Sequence, residues 1–167
     1  MPTTASPRTT KDSLKPAWPG LAFWLLVCFA APALGTAAGP GAWYAQLQKP
    51  SWNPPGWLFG PVWSVLYTLM AVAAWLVWRQ GGWGKQRRPL LIFLAQLALN
   101  ALWTPLFFGL HRLGVAFAEI VLLWLAIGTT LTVFRPVSRA AAWLLAPYLA
   151  WVSFATVLNF ALWRMNS

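Results

Sequence analysis

The chain has 167 residues, of which 59% are hydrophobic and only 8% charged, where soluble domains carry roughly a quarter charged residues. Asp12 and Glu119 are its two acidic side chains against a net charge of +10. The shortage of charge excludes an ordinary soluble domain, and the dispersal of the cations, with no polar face to gather them, excludes a nucleic-acid partner.

Uncharged stretches cover 16–48, 50–78, 89–111 and 140–163, and 113–134 carries Glu119 alone. A helix needs about 20 apolar residues to cross the hydrocarbon core, so each of the five can span. The expectation is an all-α membrane protein, a bundle of five transmembrane helices with a long structured loop between the first two.

Residues 1–16 read as a disordered polar tail, and 17–165 as a single transmembrane domain. The first helix is expected over 18–36, with Pro32 and Gly35 loosening its outer end. Its length and extended leader favour a retained helix over a cleaved signal peptide. Cys28, the single cysteine, falls inside it, so no disulfide or thiol–metal site is available.

Between Trp43 and Trp78 the chain places six tryptophans and two tyrosines. The core reads Trp43-Tyr44, Lys49-Pro50-Ser51-Trp52-Asn53-Pro54-Pro55-Gly56-Trp57, Gly60-Pro61-Val62-Trp63, then Tyr67. Aliphatic residues fill a core without an indole N–H that must find a partner. Tryptophan beside rigid proline instead suggests a stiff aromatic wall on which a large flat ligand can stack. Residues 37–57 are too long for a plain connector and are expected to form a folded lid carrying Trp43 and Trp52.

The second helix is expected over 57–79. Trp63, Tyr67, Ala71, Ala74 and Trp78 share one of its faces. Trp57 and Trp78, near its ends, suit the interfacial aromatic belt, whereas Trp63 and Tyr67 sit deeper, beside the lid, and are assigned to a ligand pocket. Gly81-Gly82-Trp83-Gly84, followed by Lys85, Arg87 and Arg88, reads as a cytoplasmic turn.

The third helix, 89–109, carries Asn100 about 18 Å along from Arg88. A mid-membrane amide marks either a site or an interhelical hydrogen bond. Trp103 shares its face, and Pro105 relaxes the helix beyond it. His111 lies in the outer link and is read as a loop residue, not a haem ligand.

On the fourth helix, 114–134, Glu119 is expected to pair with Arg112 or to snorkel. The fifth, 140–163, places Tyr148, Trp151 and Ala155 on one stripe after Pro147, with Asn159 as structural glue. The short links 110–113 and 135–139 make these last three helices antiparallel neighbours.

Nine cations (Arg8, Lys11, Lys15, Arg79, Lys85, Arg87, Arg88, Arg135, Arg139) fall on one side and three (Lys49, Arg112, Arg164) on the other. The positive-inside rule then puts the N-terminus in the cytoplasm and the C-terminus on the opposite side. No metal-ligand cluster, phosphate loop or nucleophile–base motif occurs.

The aromatic segments just quoted resemble the loop 1 and helix 2 signature of the TspO/MBR family of tryptophan-rich sensory and translocator proteins. Ala98-Leu99-Asn100-Ala101-Leu102-Trp103-Thr104-Pro105-Leu106-Phe107-Phe108-Gly109 is similar to its helix 3. Pro147-Tyr148-Leu149-Ala150-Trp151, Phe154-Ala155-Thr156 and Leu158-Asn159-Phe160 are similar to its helix 5. The resemblance runs in order from about 18 to 165. It implies a five-helix bundle, commonly a homodimer in the lipid bilayer, that binds protoporphyrin IX-type porphyrins as ligands and needs no cofactor. It also implies a pocket capped by loop 1 and lined by Tyr44, Trp63, Tyr67, Asn100, Trp103, Trp151 and Ala155, to which the helix 5 stripe adds Tyr148. Proposed roles are sensing, scavenging or carrying tetrapyrroles. Light-driven porphyrin breakdown is the enzymatic alternative, with Trp63 and Trp151 as its redox-active indoles, and transport is a second alternative. The family's cholesterol-recognition pattern needs a tyrosine where this chain has Phe160, which disfavours a sterol.

Overall fold

The computed structural model describes residues 18–33 and 41–167. The polar tail over 1–16 and the expected end of the first helix at 34–36 lie outside them. The described residues fold into helices α1 (Trp18–Ala33), α2 (Ala42–Gln46), α3 (Phe59–Trp78), α4 (Gly82–Thr104), α5 (Leu113–Phe134), α6 (Arg139–Leu144) and α7 (Ala146–Met165), with no strand among them. A 3₁₀ turn over Gly56–Leu58 leads into α3, and a π turn over Pro105–Gly109 prolongs α4.

The helices are apolar on all sides, not amphipathic, as membrane-embedded helices are. Large apolar side chains such as Leu26, Val65, Leu122 and Val157 cover the outer surface. Four segments are long and apolar enough to cross a membrane: Gly56–Trp78, Gly82–Gly109, Leu113–Phe134 and Arg139–Met165. The chain is an integral multi-pass membrane protein. Of the expected first span the described part is α1, an apolar helix of 16 residues, about 24 Å at the helical rise.

Prolines set two departures from the expected spans. The third span begins at Gly82, not 89, so Lys85, Arg87 and Arg88 lie on helix and not in a turn. A non-helical Gln86 (φ −110°, ψ 21°) interrupts its start. That break places Pro89 in the first turn of the straight segment, where its missing N–H costs nothing. The fifth span is two helices. Pro147 cannot donate to the carbonyl of Trp143 and its ring crowds it, so α6 stops at Leu144 and α7 restarts with Pro147 in its first turn.

Small residues decide how closely the helices approach. Ala71, Ala73 and Ala74 of α3 are fully buried, as membrane helix interfaces favour. Gly20 of α1 faces the Trp78 ring so closely that a Cβ there would lie 2.5 Å from it. Helix α1 packs on α3 and α4, α4 on α5, and α5 on α7. The inner half of the bundle is solid, built on Trp24, Met70, Phe93, Ile127 and Phe134. The outer half, under the segment between α1 and α3, is open inside.

The described part of that segment, 41–58, is folded. It contains α2 and a turn closed by the Asn53 N–H to the Pro50 carbonyl at 3.0 Å. Trp43 stacks on His111 with centroids 4.1 Å apart, and Trp52 meets Phe154 edge-on at 5.9 Å.

Candidate functional site

Beneath this lid lies a cavity of about 360 Å³, within the usual range for small-molecule sites. Helical spacing turns Phe59, Trp63 and Tyr67 of α3 inward as one wall. Asn100, Trp103 and Thr104 of α4, with Phe107 and Phe108 of the π turn, form the next. Ile120 and Leu123 of α5, together with Trp151, Ala155 and Leu158 of α7, complete the lining. Pro32 of α1 reaches the rim. Tyr44, Asn53 and Pro54 of the lid roof it.

The floor is polar. The Tyr67 hydroxyl donates to Asn100 Oδ1 at 2.7 Å, and Asn100 Nδ2 donates to the Tyr148 hydroxyl at 3.1 Å. One amide therefore ties α3, α4 and α7 together and also presents itself to the cavity. The two roles that the sequence left open for Asn100 coexist. Higher up, Trp103 Nε1 donates to Asn159 Oδ1 at 3.1 Å, and Asn159 Nδ2 donates to the Leu113 carbonyl at 3.1 Å. Asn159 is interhelical glue that also satisfies the indole of a wall residue.

Aromatic contacts hold the walls rigid. Trp63 stacks on Tyr67 (5.3 Å, 28°) and meets Tyr148 edge-on. Trp103 stacks on Phe107 (4.8 Å, 27°), and Trp151 sits between Phe59 and Phe154. Trp63 and Trp151 thus reach one space from different helices. In the roof, the Tyr44 hydroxyl donates to Asn53 Oδ1 at 3.4 Å, with the Lys49 ammonium 4.7 Å over its ring. Burial holds the Tyr44 phenol above its ordinary pKa, partly offset by the bond to Asn53, so Tyr44 remains a neutral donor at physiological pH.

Of the residues expected in a pocket, Tyr44, Trp63, Tyr67, Asn100, Trp103, Trp151 and Ala155 line this cavity. Tyr148 does not. It is wholly buried behind Asn100, one level too deep. Trp43 and Trp52, the expected lid residues, fasten the lid from outside the cavity instead of facing it. The cations Lys49 and Arg112 do not line it either. Lys49 Nζ is held by the Ala45 and Leu47 carbonyls at 3.2 and 3.1 Å, and Arg112 is exposed.

Sequence reasoning missed Phe59, Thr104, Phe107, Phe108, Ile120 and Leu123. The signal for Phe107 and Phe108 was Pro105, because a π turn rotates the residues after it off the regular helical face. The expected Glu119–Arg112 pair is corrected. Glu119 is 6% exposed and neither carboxylate oxygen has a hydrogen-bond partner. Arg112 precedes the helix with φ −95° and ψ 75°, so the two-turn spacing does not bring the side chains to one face.

A rigid aromatic slot with a hydrogen-bonding floor suits a flat, mainly apolar ligand with a few polar atoms. Comparison with known proteins adds a family. The model described as "TspO/MBR family" matches residues 21–164. "Protein CrtK" of Rhodobacter capsulatus is 43% identical over 149 residues, covering 87% of this chain and 91% of that protein. Human "Translocator protein" is 42% identical over 163 residues, covering 92% and 94%. "Tryptophan-rich sensory protein" of Cereibacter sphaeroides is 40% identical over 149 residues, covering 89% and 92%.

Proposed function

The chain belongs to the TspO/MBR family, and on that premise we propose that it is a membrane-embedded tetrapyrrole-binding protein acting as a sensor, scavenger or carrier of protoporphyrin IX-type molecules. The observation that carries this reading is the pair of indoles, Trp63 and Trp151, presented to one cavity from two helices above a hydrogen-bonding floor. A porphyrin is a flat apolar macrocycle with polar pyrrole nitrogens and an anionic edge. Indoles supply the stacking faces, and Asn100 and Tyr67 supply polar partners. The relatives' names, a translocator and a sensory protein, support transport or signalling as the use of such binding.

A sterol is disfavoured. Phe160 replaces the tyrosine of the cholesterol-recognition pattern, and its ring lies on the exposed outer surface against Phe117, away from the cavity. The same reading has α1 as a fifth span, the N-terminus in the cytoplasm, the C-terminus opposite, and a homodimer as the working form. Titrating the purified protein with protoporphyrin IX, haem and a sterol, followed by tryptophan fluorescence, tests it. Saturable quenching by the porphyrin and none by the sterol is expected, and the reverse order would refute the assignment.

The stacking of Trp63 on Tyr67 favours one second reading, light-driven oxidative breakdown of the bound porphyrin by oxygen. Illumination in air separates the two. A binder leaves the free-porphyrin bleaching rate unchanged, and an enzyme accelerates it.

A further inference from the structure

The lid is fastened by the Trp43–His111 stack, by edge-on contacts of Trp43 and Tyr44 with Phe107, of Tyr44 with Phe108 and of Trp52 with Phe154, and by one directional contact made from the far end of the chain. Asn166 follows the last residue of α7. Its Oδ1 accepts the Gln48 backbone N–H at 2.9 Å, and its Nδ2 donates to the Gln48 carbonyl at 2.9 Å. A primary amide presents a donor and an acceptor side by side, which suits it to this pairing. Nδ2 also donates to the Leu162 carbonyl at 2.8 Å, one of the carbonyls a helix end leaves unpaired. That third bond fixes the amide before the lid arrives.

Gln48 lies two residues beyond α2, and α2 carries Tyr44, the aromatic of the cavity roof. Two side chains satisfy the backbone here: Lys49 takes the Ala45 and Leu47 carbonyls, and Asn166 takes both groups of Gln48. Lys49 moves with the lid, whereas Asn166 belongs to the bundle. Both bonds between Asn166 and Gln48 are solvent-exposed, so water competes for them and they exchange readily. Tyr44 lies over a cavity of about 360 Å³, so a flat macrocycle that enters past it needs this part of the roof to lift.

We propose that Asn166 is a positioning residue that latches the lid. Its two-way bond to Gln48 holds Tyr44 over the cavity, and breaking that bond is the step that lets a ligand in or out. The effect on ligand exchange rests on the cavity being the ligand site, whereas the latch itself does not.

The test uses the full chain in lipid nanodiscs, with Asn166→Ala and with Asn166→Asp, which keeps the acceptor for the Gln48 N–H and loses the donor. Without ligand, hydrogen–deuterium exchange over 42–49 should be fast in the Ala variant, intermediate in the Asp variant and slow in the parent, while α5 and α7 stay equally protected in all three. With protoporphyrin IX as probe, stopped-flow dissociation should quicken about tenfold in the Ala variant, equivalent to about 1.4 kcal/mol. Unchanged exchange over 42–49 in both variants overturns the latch. Faster exchange with unchanged dissociation overturns its control of the site. A parent that binds no porphyrin refutes the ligand reading, and exchange then decides the latch alone.

Discussion

Asn100 and Tyr148 separate what holds the site from what the site offers. Asn100 bonds Tyr67 and Tyr148 across three helices, and Tyr148 lies behind the floor. Tyr148→Phe therefore removes an acceptor from a buried amide without changing the cavity surface. It should lower stability by about 1 kcal/mol, in line with hydrogen bonds inside membrane proteins, and leave ligand affinity within twofold. Asn100→Ala should lower both, because it strands two hydroxyls and removes a lining group. Thermal unfolding and titration of the two variants check this pair, and a Tyr148→Phe protein that loses binding while keeping its stability would contradict it. The stripe through Tyr148, Trp151 and Ala155 was legible from spacing alone. Its depth was not, since seven residues along a helix are about 10 Å and nothing local says where the cavity ends. Glu119 was illegible for a related reason: spacing to Arg112 assumes that both residues are on the helix, and Arg112 is not.

The five apolar stretches were readable because charge is excluded from the hydrocarbon, a signal that survives without any alignment. Their ends were harder. Pro89 was read as the start of a span and Pro147 as lying within one, but whether a proline ends, kinks or starts a helix depends on the backbone a turn earlier, as Gln86 and Leu145 demonstrate. The lid was legible as a folded unit from its length and its Pro/Trp content, whereas its fastening to His111, Phe154 and Asn166 depends on residues more than 60 positions away. Packing between elements gives its own test. Gly20→Ala puts a Cβ 2.5 Å from the Trp78 ring, so α1 must move off α3 at a cost of about 1–3 kcal/mol. Thermal unfolding should show the loss, and Trp78→Leu in the same chain should recover part of it. An Ala variant as stable as the parent would mean that α1 and α3 are not held at this distance.

Across the whole molecule, the charge asymmetry and the cavity point the same way. The cavity opens beneath the lid, at the end of the bundle that carries Lys49, Arg112 and Arg164 of the nine Lys and Arg residues described. The positive-inside rule predicts that this is the non-cytoplasmic side. An alkaline phosphatase fused after Ser167 should be active, and an inactive fusion with a fluorescent cytoplasmic reporter at the same point would invert the orientation. The ligand claim rests on Trp63 and Trp151 as two walls of one cavity. Each lost stack should cost about 1–3 kcal/mol by analogy with base–aromatic stacking, and replacement by Phe should keep part of that. Phe variants that bind nearly normally yet lose accelerated photobleaching would identify the indoles as redox groups, because phenyl rings resist oxidation. The most direct test is the affinity of Trp63→Ala and Trp151→Ala for protoporphyrin IX, measured on folded protein in nanodiscs. A weakening of about ten- to a hundredfold in each is predicted, and two folded variants that bind as tightly as the parent would contradict the assignment.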